Sequence, residues 1–152
     1  MVSKSKQMKT IIDQYIKAYN EFDIDGMLKN VHPDVEFKNI ANNEINVHIQ
    51  GLKTLKMQAK DSTKLLKKRE MKITEQNIAG DTVENNIDFK AVLNVDIPDG
   101  PKAGELVKFK GRSIFKFKNM KIISIEEKDQ IYLELISLSK RITNFRRALI
   151  KQ

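Results

Sequence analysis

Two long segments of the sequence alternate between apolar and polar side chains, and this alternation constrains the fold more than any other feature. From Val83 to Ile97 the odd positions are mostly apolar and the even positions mostly polar or charged. From Leu106 to Lys118 the odd positions include three phenylalanines and the even positions four lysines. A period of two residues is typical of β-strands. The pattern therefore predicts two long neighbouring strands in an antiparallel sheet, with one apolar face and one face in water.

Helical periodicity precedes these strands. Apolar residues from Met8 to Tyr19 recur at spacings of three and four, which predicts one face of an amphipathic helix. Asp23 is expected to cap a short second helix, Ile24 to Val31, because its side chain can accept from the first free N–H groups. Pro33 disfavours helical backbone at His32, so this helix should end there.

The remaining elements follow from the same two periodicities. Asn42-Asn43 is expected to form a tight turn between two strands, because asparagine tolerates left-handed backbone. We expect strands at Val35–Ile40, Ile45–Ile49, Arg69–Ile78 and Met120–Glu127, and a helix at Leu52–Leu66. The order of elements predicts an α+β fold in which N-terminal helices cover the apolar face of a curved antiparallel sheet.

The C-terminal segment reads as a separate feature. Asp129 can cap a helix, and apolar residues from Ile131 to Leu149 alternate at spacings of four and three. We therefore expect a domain over residues 1–129 and a C-terminal amphipathic helix over residues 130–152. That helix is expected to pack on its own domain or on a second copy of the chain.

Composition excludes several classes of function. The chain of 152 residues has no cysteine, which removes disulfides, thiol catalysis and thiolate metal sites and makes a cytoplasmic location the expectation. No stretch approaches the roughly 18 consecutive apolar residues of a membrane span, so no membrane partner is expected. Its two histidines, His32 and His48, are not part of a ligand cluster, so we expect no metal and no cofactor.

The net charge of +8 raises the question of nucleic acid. Lysine greatly outnumbers arginine, the charge is spread along the chain, and no aromatic stacking platform accompanies it. Nucleic-acid binding is therefore disfavoured, and the lysines from Lys108 to Lys118 are its only candidate surface.

Three stretches resemble a known family: "DQYIKAYNEFDIDGMLKNVHPDVEF", "GLKTLKMQA" and "GRSIFKFKNMKIISI". They are similar to the nuclear transport factor 2-like superfamily and most similar to its SnoaL-like branch, over about Gln7 to Lys128. The resemblance implies a cone-shaped α+β barrel whose curved sheet wraps around a helix and leaves a pocket, usually in a homodimer. Members include polyketide cyclases, ketosteroid isomerases, epoxide hydrolases and non-catalytic binding modules.

The resemblance also allows residue roles to be carried over. Ketosteroid isomerase-like members use a tyrosine, a carboxylate base and a neutral carboxylic acid. These roles fall on Tyr15, Asn39 and Ser113, so two of the three have changed and that chemistry is not expected here. The Asp–Arg–Asp set of epoxide hydrolase-like members has no counterpart either, because Asp88 and Arg112 share the charged parity of their strands.

These considerations predict a pocket for a small, mostly apolar molecule, lined by apolar side chains and a few hydroxyls and amides. If the protein is an enzyme, we expect an isomerisation, cyclisation or hydration, with Tyr15 as donor and Glu127, or an inward His32, as base. The alternative is a non-catalytic protein-interaction or dimerisation module of the same fold. The residues predicted to contact the ligand are Tyr19, Phe37, Asn39, Asn85, Phe89, Ser113 and Phe115.

Overall fold

A computed structural model describes residues 2–132, and the side chains of residues 2–128. The chain forms three helices and six strands over this range. The helices are α1 (Lys4–Asn20), α2 (Ile24–Leu28) and α3 (Leu52–Thr63). The strands are β1 (Val31–Ala41), β2 (Glu44–Gln50), β3 (Leu66–Ala79), β4 (Thr82–Leu93), β5 (Leu106–Lys118) and β6 (Lys121–Tyr132). The predicted C-terminal helix falls almost wholly on residues outside the described range.

The six strands form one curved, unclosed sheet in the order β2-β1-β6-β5-β4-β3. Register shifts in the β1–β2, β1–β6, β3–β4 and β5–β6 pairs mark bulges or irregularities, which bend strands and increase their twist. The predicted α+β fold is confirmed. One detail differs: β1 pairs with β6 in parallel, so the sheet is mixed and not wholly antiparallel.

The predicted parity of the two long strands is confirmed. On β4 the odd-numbered side chains from Val83 to Leu93 are all buried, and on β5 so are those from Val107 to Phe117. The even-numbered charges face outward, where Asp88 pairs with Lys110 at 2.9 Å and Glu84 pairs with Arg112. Such exposed pairs contribute little to stability, so burial of the odd-numbered side chains stabilises the sheet.

The helices close the inner face of the sheet. Ser3 caps α1 by accepting from the Lys6 N–H at 3.2 Å, and Asp23 caps α2 by accepting from the Gly26 N–H at 3.0 Å. The α1 side chains that were predicted to face inward, including Met8, Ile12 and Tyr15, are buried in the core. None of the described helices is both long and apolar enough to cross a membrane.

Several predicted boundaries are wrong. Helix α2 ends at Leu28 and β1 begins at Val31, so His32 lies in a strand instead of at a helix end. Strand β4 ends at Leu93, four residues before Ile97, because the chain turns once its ladder with β5 is complete. Strand β6 continues to Tyr132, which places Asp129 within a strand and moves the end of the sheet past the expected boundary at residue 129.

The β1–β2 turn offers a test of the backbone prediction. Asn42 and Asn43 both have positive φ, 54° and 62°, as the tight turn requires. Replacing Asn43 with glycine should raise the free energy of unfolding by a few tenths of a kcal/mol, since glycine meets this conformation without steric cost. Asn43→Val should lower it by about 1 kcal/mol or more. Urea denaturation measures both, and equal stability of the two variants would contradict the turn geometry.

Candidate functional site

A pocket lies on the inner face of the sheet, between the sheet and the three helices. Its cavity volume is about 130 Å³, well above the roughly 10–15 Å³ that one water molecule needs. Apolar and aromatic side chains form most of its lining. Its polar lining residues are Tyr15, Tyr19, Asn39, Gln58, Ser62, Arg69 and Glu127.

Strand pairing places three polar residues side by side at the sheet. Asn39 on β1 pairs with Glu127 on β6, and Glu127 pairs with Ser113 on β5. The row continues on β4, where Asn85 pairs with Ser113, and on β3, where Gln76 pairs with Asn85. We call these five side chains the polar row. It crosses a largely apolar face, where buried polar groups must find hydrogen-bond partners.

Hydrogen bonds connect most of the polar row. Gln76 Nε2 donates to Asn85 Oδ1 at 2.8 Å, and Asn85 Nδ2 donates to the Ser113 backbone carbonyl at 3.2 Å. The Ser113 hydroxyl donates to Glu127 Oε2 at 2.6 Å. Asn85 and Ser113 are fully buried, and these bonds give their polar side chains hydrogen-bond partners within the protein. Their hydrogen bonds hold the Glu127 carboxyl in place at the pocket wall.

Glu127 is the ionisable group of the polar row, and it is half-buried where it lines the pocket. Burial raises its pKa to about 7, while the hydrogen bond from Ser113 acts in the opposite direction. Desolvation disfavours the charged form of a carboxyl group, which explains the direction of the shift. Near neutral pH both protonation states of Glu127 are therefore populated, which suits a group that accepts and returns a proton.

Two tyrosines face Glu127 from helix α1. Burial, and secondly the charge of Glu127, raises the pKa of Tyr15 far above its usual value, and burial raises that of Tyr19 to about 12. Both hydroxyls therefore keep their protons at neutral pH. A side-chain hydrogen bond with Arg69 acts to lower the pKa of Tyr19. The Tyr15 hydroxyl has no hydrogen-bond partner among the side chains of residues 2–128, so it can donate to a bound molecule.

An aromatic cluster fixes the position of these tyrosines. The Tyr15 ring lies 6.5 Å from the Tyr19 ring and meets Phe115 edge-on at 5.2 Å. Tyr19 meets Phe89 at 6.4 Å, and Phe89 stacks on Phe109 at 4.6 Å. Phe89 and Phe109 line the pocket, whereas Phe115 is fully buried behind Tyr15. Edge-on and stacked rings pack favourably, so the cluster gives the tyrosines a rigid support.

The structure brings most of the predicted site residues together. Tyr15, Tyr19, Glu127, Phe37, Asn39 and Phe89 all line the pocket. Asn85, Ser113 and Phe115 do not line it, and they lie behind it as supports. His32 is also outside the lining: it is partly exposed on β1, and its Nδ1 accepts from the Asp34 N–H at 3.0 Å. Met57, which was also expected near the pocket, is 60% exposed.

Sequence reasoning missed Arg69. This residue is buried on β3 and lines the pocket. The alternation along β3 could have identified it, because Arg69 shares the inward-facing parity of Met71 and Ile73. The side chains of the other parity, Lys68, Glu70 and Lys72, are exposed. The pocket-facing positions of α3, Gln58 and Ser62, were missed as well.

Glu36 and His48 form the only close acid–histidine pair in the described range, at 2.9 Å on the exposed side of β1 and β2. Lys38 also contacts Glu36, at 3.1 Å, and these two neighbours lower the pKa of the Glu36 carboxyl. No three histidine, aspartate or glutamate side chains of the described residues are placed to hold a metal ion.

The family model of the SnoaL-like domain matches residues 12–125 of the chain. The chain therefore belongs to the SnoaL-like domain family, and its predicted place in the nuclear transport factor 2-like superfamily is confirmed. The matched range ends two residues before Glu127. No curated protein matches the chain.

Solved structures share this fold. A candidate polyketide cyclase from Xanthomonas campestris pv. campestris is 16% identical, with a TM-score of 0.68 over 92% of this chain and 99% of its own. A candidate SnoaL-like polyketide cyclase from Jannaschia sp. CCS1 is 12% identical, with a TM-score of 0.69 over 90% of this chain and 92% of its own. TerC, crystallised with polyporic acid, is 15% identical, with a TM-score of 0.66 over 94% of this chain and 98% of its own.

The raised pKa of Glu127 should make stability depend on pH. Its folded-state pKa of about 7 lies above the 4.5 of an exposed glutamate, so folding favours the protonated form. The stabilisation is complete below about pH 4.5 and is lost as the pH rises through about 7, by on the order of 3 kcal/mol. Urea denaturation from pH 4.5 to 8.5 should show this loss in the wild type and not in Glu127→Gln. Glu126→Gln is the matched control and should behave as the wild type; identical pH profiles for all three would contradict the assignment.

The hydrogen bond from the Ser113 hydroxyl affects the pH at which Glu127 loses its proton and the protein loses this stability. Its hydrogen bond to Glu127 lowers the pKa of that carboxyl, so Ser113→Ala should raise the pKa further. Carbon-13 NMR of the Glu127 carboxyl should show a higher titration midpoint in Ser113→Ala than in the wild type. Ser62→Ala removes a hydroxyl that bonds to Ala59 O and should leave the midpoint unchanged. A midpoint that falls in Ser113→Ala would exclude the role assigned to this hydrogen bond.

Proposed function

We propose that this SnoaL-like domain binds a small, mostly apolar molecule in the pocket between sheet and helices and transfers a proton on it. The observation that carries the proposal is the position of Glu127. It lines an apolar pocket, next to Asn39 and Ser113 on neighbouring strands, and burial raises its pKa to about 7. A proton-transfer group works best when its pKa is close to the working pH.

The proposed step divides between two residues. The Glu127 carboxylate takes a proton from a carbon next to a carbonyl group, and the electron pair moves onto the carbonyl oxygen. The Tyr15 hydroxyl donates a hydrogen bond to that oxygen as its negative charge develops. In a site that excludes water such a donor stabilises the transition state strongly. Return of the proton to another atom gives an isomerisation. Attack by the enolate carbon on a second carbonyl group of the same molecule gives a cyclisation, in which the C=O π electrons move onto oxygen and the new alkoxide takes the proton from Glu127.

Asn39 and Tyr19 orient the ligand in this proposal. Both line the pocket, where Asn39 is buried and the Tyr19 side chain is hydrogen-bonded to Arg69. Phe37 and Phe89 contribute apolar contact area beside them. The small-molecule ligand, a homodimer and a cytoplasmic location remain predictions from the sequence, and the solved neighbours support the fold alone.

Hydrogen–deuterium exchange tests the proton transfer directly. We expect the wild type to accelerate exchange of the α-protons of 1-tetralone in D2O, followed by proton NMR. Glu127→Gln should abolish the acceleration, because an amide does not accept the proton, while leaving the affinity for the ketone within about threefold. Tyr15→Phe should slow exchange by about 10- to 1,000-fold through loss of the oxyanion donor.

Glu126→Gln is the matched control, since it removes the neighbouring carboxyl on β6, and it should exchange at the wild-type rate. Thermal-shift titration with the same ketone reports binding separately from exchange. Exchange by Glu127→Gln at the wild-type rate would exclude Glu127 as the base. Absence of ketone binding by the wild type would count against the pocket itself.

A further inference from the structure

Arg69 is a buried cation at the pocket, and no carboxylate pairs with it among the side chains of residues 2–128. Its side chain is held instead by neutral groups. Nε donates to the Tyr19 backbone carbonyl at 2.6 Å. The guanidinium lies 3.7 Å from the centre of the Tyr19 ring and 4.6 Å from that of Phe22. These contacts fix the plane of the guanidinium group.

The C-terminus of α1 accounts for part of this arrangement. Tyr19 is the penultimate residue of α1, and carbonyl groups at a helix C-terminus favour a positive charge. Asn20, the last residue, also bonds to the backbone of Met71 on β3. Arg69 thus helps to join α1 to β3. These contacts use Nε and the faces of the guanidinium, and a further side-chain hydrogen bond joins Arg69 to Tyr19.

One outer nitrogen has no partner in the described part of the chain. Arg69 Nη2 is buried from solvent and forms no hydrogen bond there. A buried N–H group without an acceptor costs free energy, and the cost is larger when the group is charged. A ligand oxygen with a negative charge would satisfy the donor and the charge together, since guanidinium binds carboxylate through short, charge-assisted hydrogen bonds.

We propose that Arg69 is an anion-binding residue and that the natural ligand is an apolar molecule with one carboxylate-type acidic oxygen group. This inference rests on the proposed ligand pocket and narrows its ligand class. The acid group would bind Arg69 at the β3 side of the pocket. The apolar body would lie along Phe89 and Phe109, toward Tyr15 and Glu127. A protonated Glu127 favours such an anion, whereas its ionised form repels it.

The test uses an acid and its neutral amide of the same shape, trans-cinnamate and cinnamamide. Isothermal titration calorimetry at about pH 6 keeps the probe acid ionised and most of Glu127 protonated. We expect the wild type to bind cinnamate at least tenfold more tightly than cinnamamide. Arg69→Met should reduce the affinity for cinnamate to that for cinnamamide. The affinity of this variant for cinnamamide should stay within about twofold of the wild-type value. Lys68→Met, which removes an exposed charge from the next residue of β3, should change neither.

The outcomes separate this inference from the proposed function. Equal binding of acid and amide by the wild type would overturn the anion site and leave the pocket intact. Binding of neither probe would overturn both. Arg69 also lines an outer groove together with Lys68, Lys90 and Lys108. Loss of the acid preference in Lys68→Met would place the anion in that groove and would also overturn the proposal.

A second measurement does not depend on the stability of Arg69→Met. The chain has five arginines, so the side-chain Nε–H signal of Arg69 can be followed in the isotope-labelled wild type. Arg69→Lys identifies the signal by its loss. Cinnamate should shift this signal and cinnamamide should not. An Arg69 signal that cinnamate leaves in place would contradict the proposal even if the acid binds.

Discussion

The burial of one carboxyl group against an apolar pocket is the interaction on which the site depends. Glu127 receives a hydrogen bond from Ser113, and Ser113 is held within the polar row that crosses the sheet. Removing a carboxylate from water without a cation beside it shifts its pKa upward. The same burial that costs stability at neutral pH gives Glu127 the pKa of a proton-transfer group. Active sites commonly combine such a local cost with a chemical use.

The pocket has charged groups at two different places. Glu127 lies on β6, while Arg69 lies on β3, at the far edge of the sheet in strand order. Both charges act on the pKa values of Tyr15 and Tyr19, in opposite directions, and burial outweighs either of them. The tyrosines therefore stay protonated, and they lie between Glu127, which can release a proton near neutral pH, and Arg69, which stays positively charged. A ligand with an acidic end and a carbonyl elsewhere would match this distribution of charge.

Strand parity alone predicted much of this arrangement. Alternation placed Asn85, Ser113, Phe89 and Phe115 on the inner face, and all four are buried there. It also excluded Asp88 and Arg112 from the pocket, and both form ion pairs on the outer face. Strand parity predicts which face of the sheet a side chain lies on. It does not predict whether that side chain lines a cavity or is covered by another side chain. For that reason Asn85, Ser113 and Phe115 were expected to contact the ligand, whereas they support the residues that line the pocket.

The α+β class, the element order, the faces of the strands and the left-handed turn at Asn42-Asn43 could be predicted from the sequence, because they follow from local periodicity and backbone sterics. The position of Glu127 between Asn39 and Ser113 is set by the fold, since it requires the parallel pairing of β1 with β6 and the register of β6 on β5. The contact of Arg69 with Tyr19, 50 positions away at the end of α1, is set in the same way. Contacts between residues so distant in the chain depend on how bulged strands and helices pack together, and no local pattern of side chains specifies that packing.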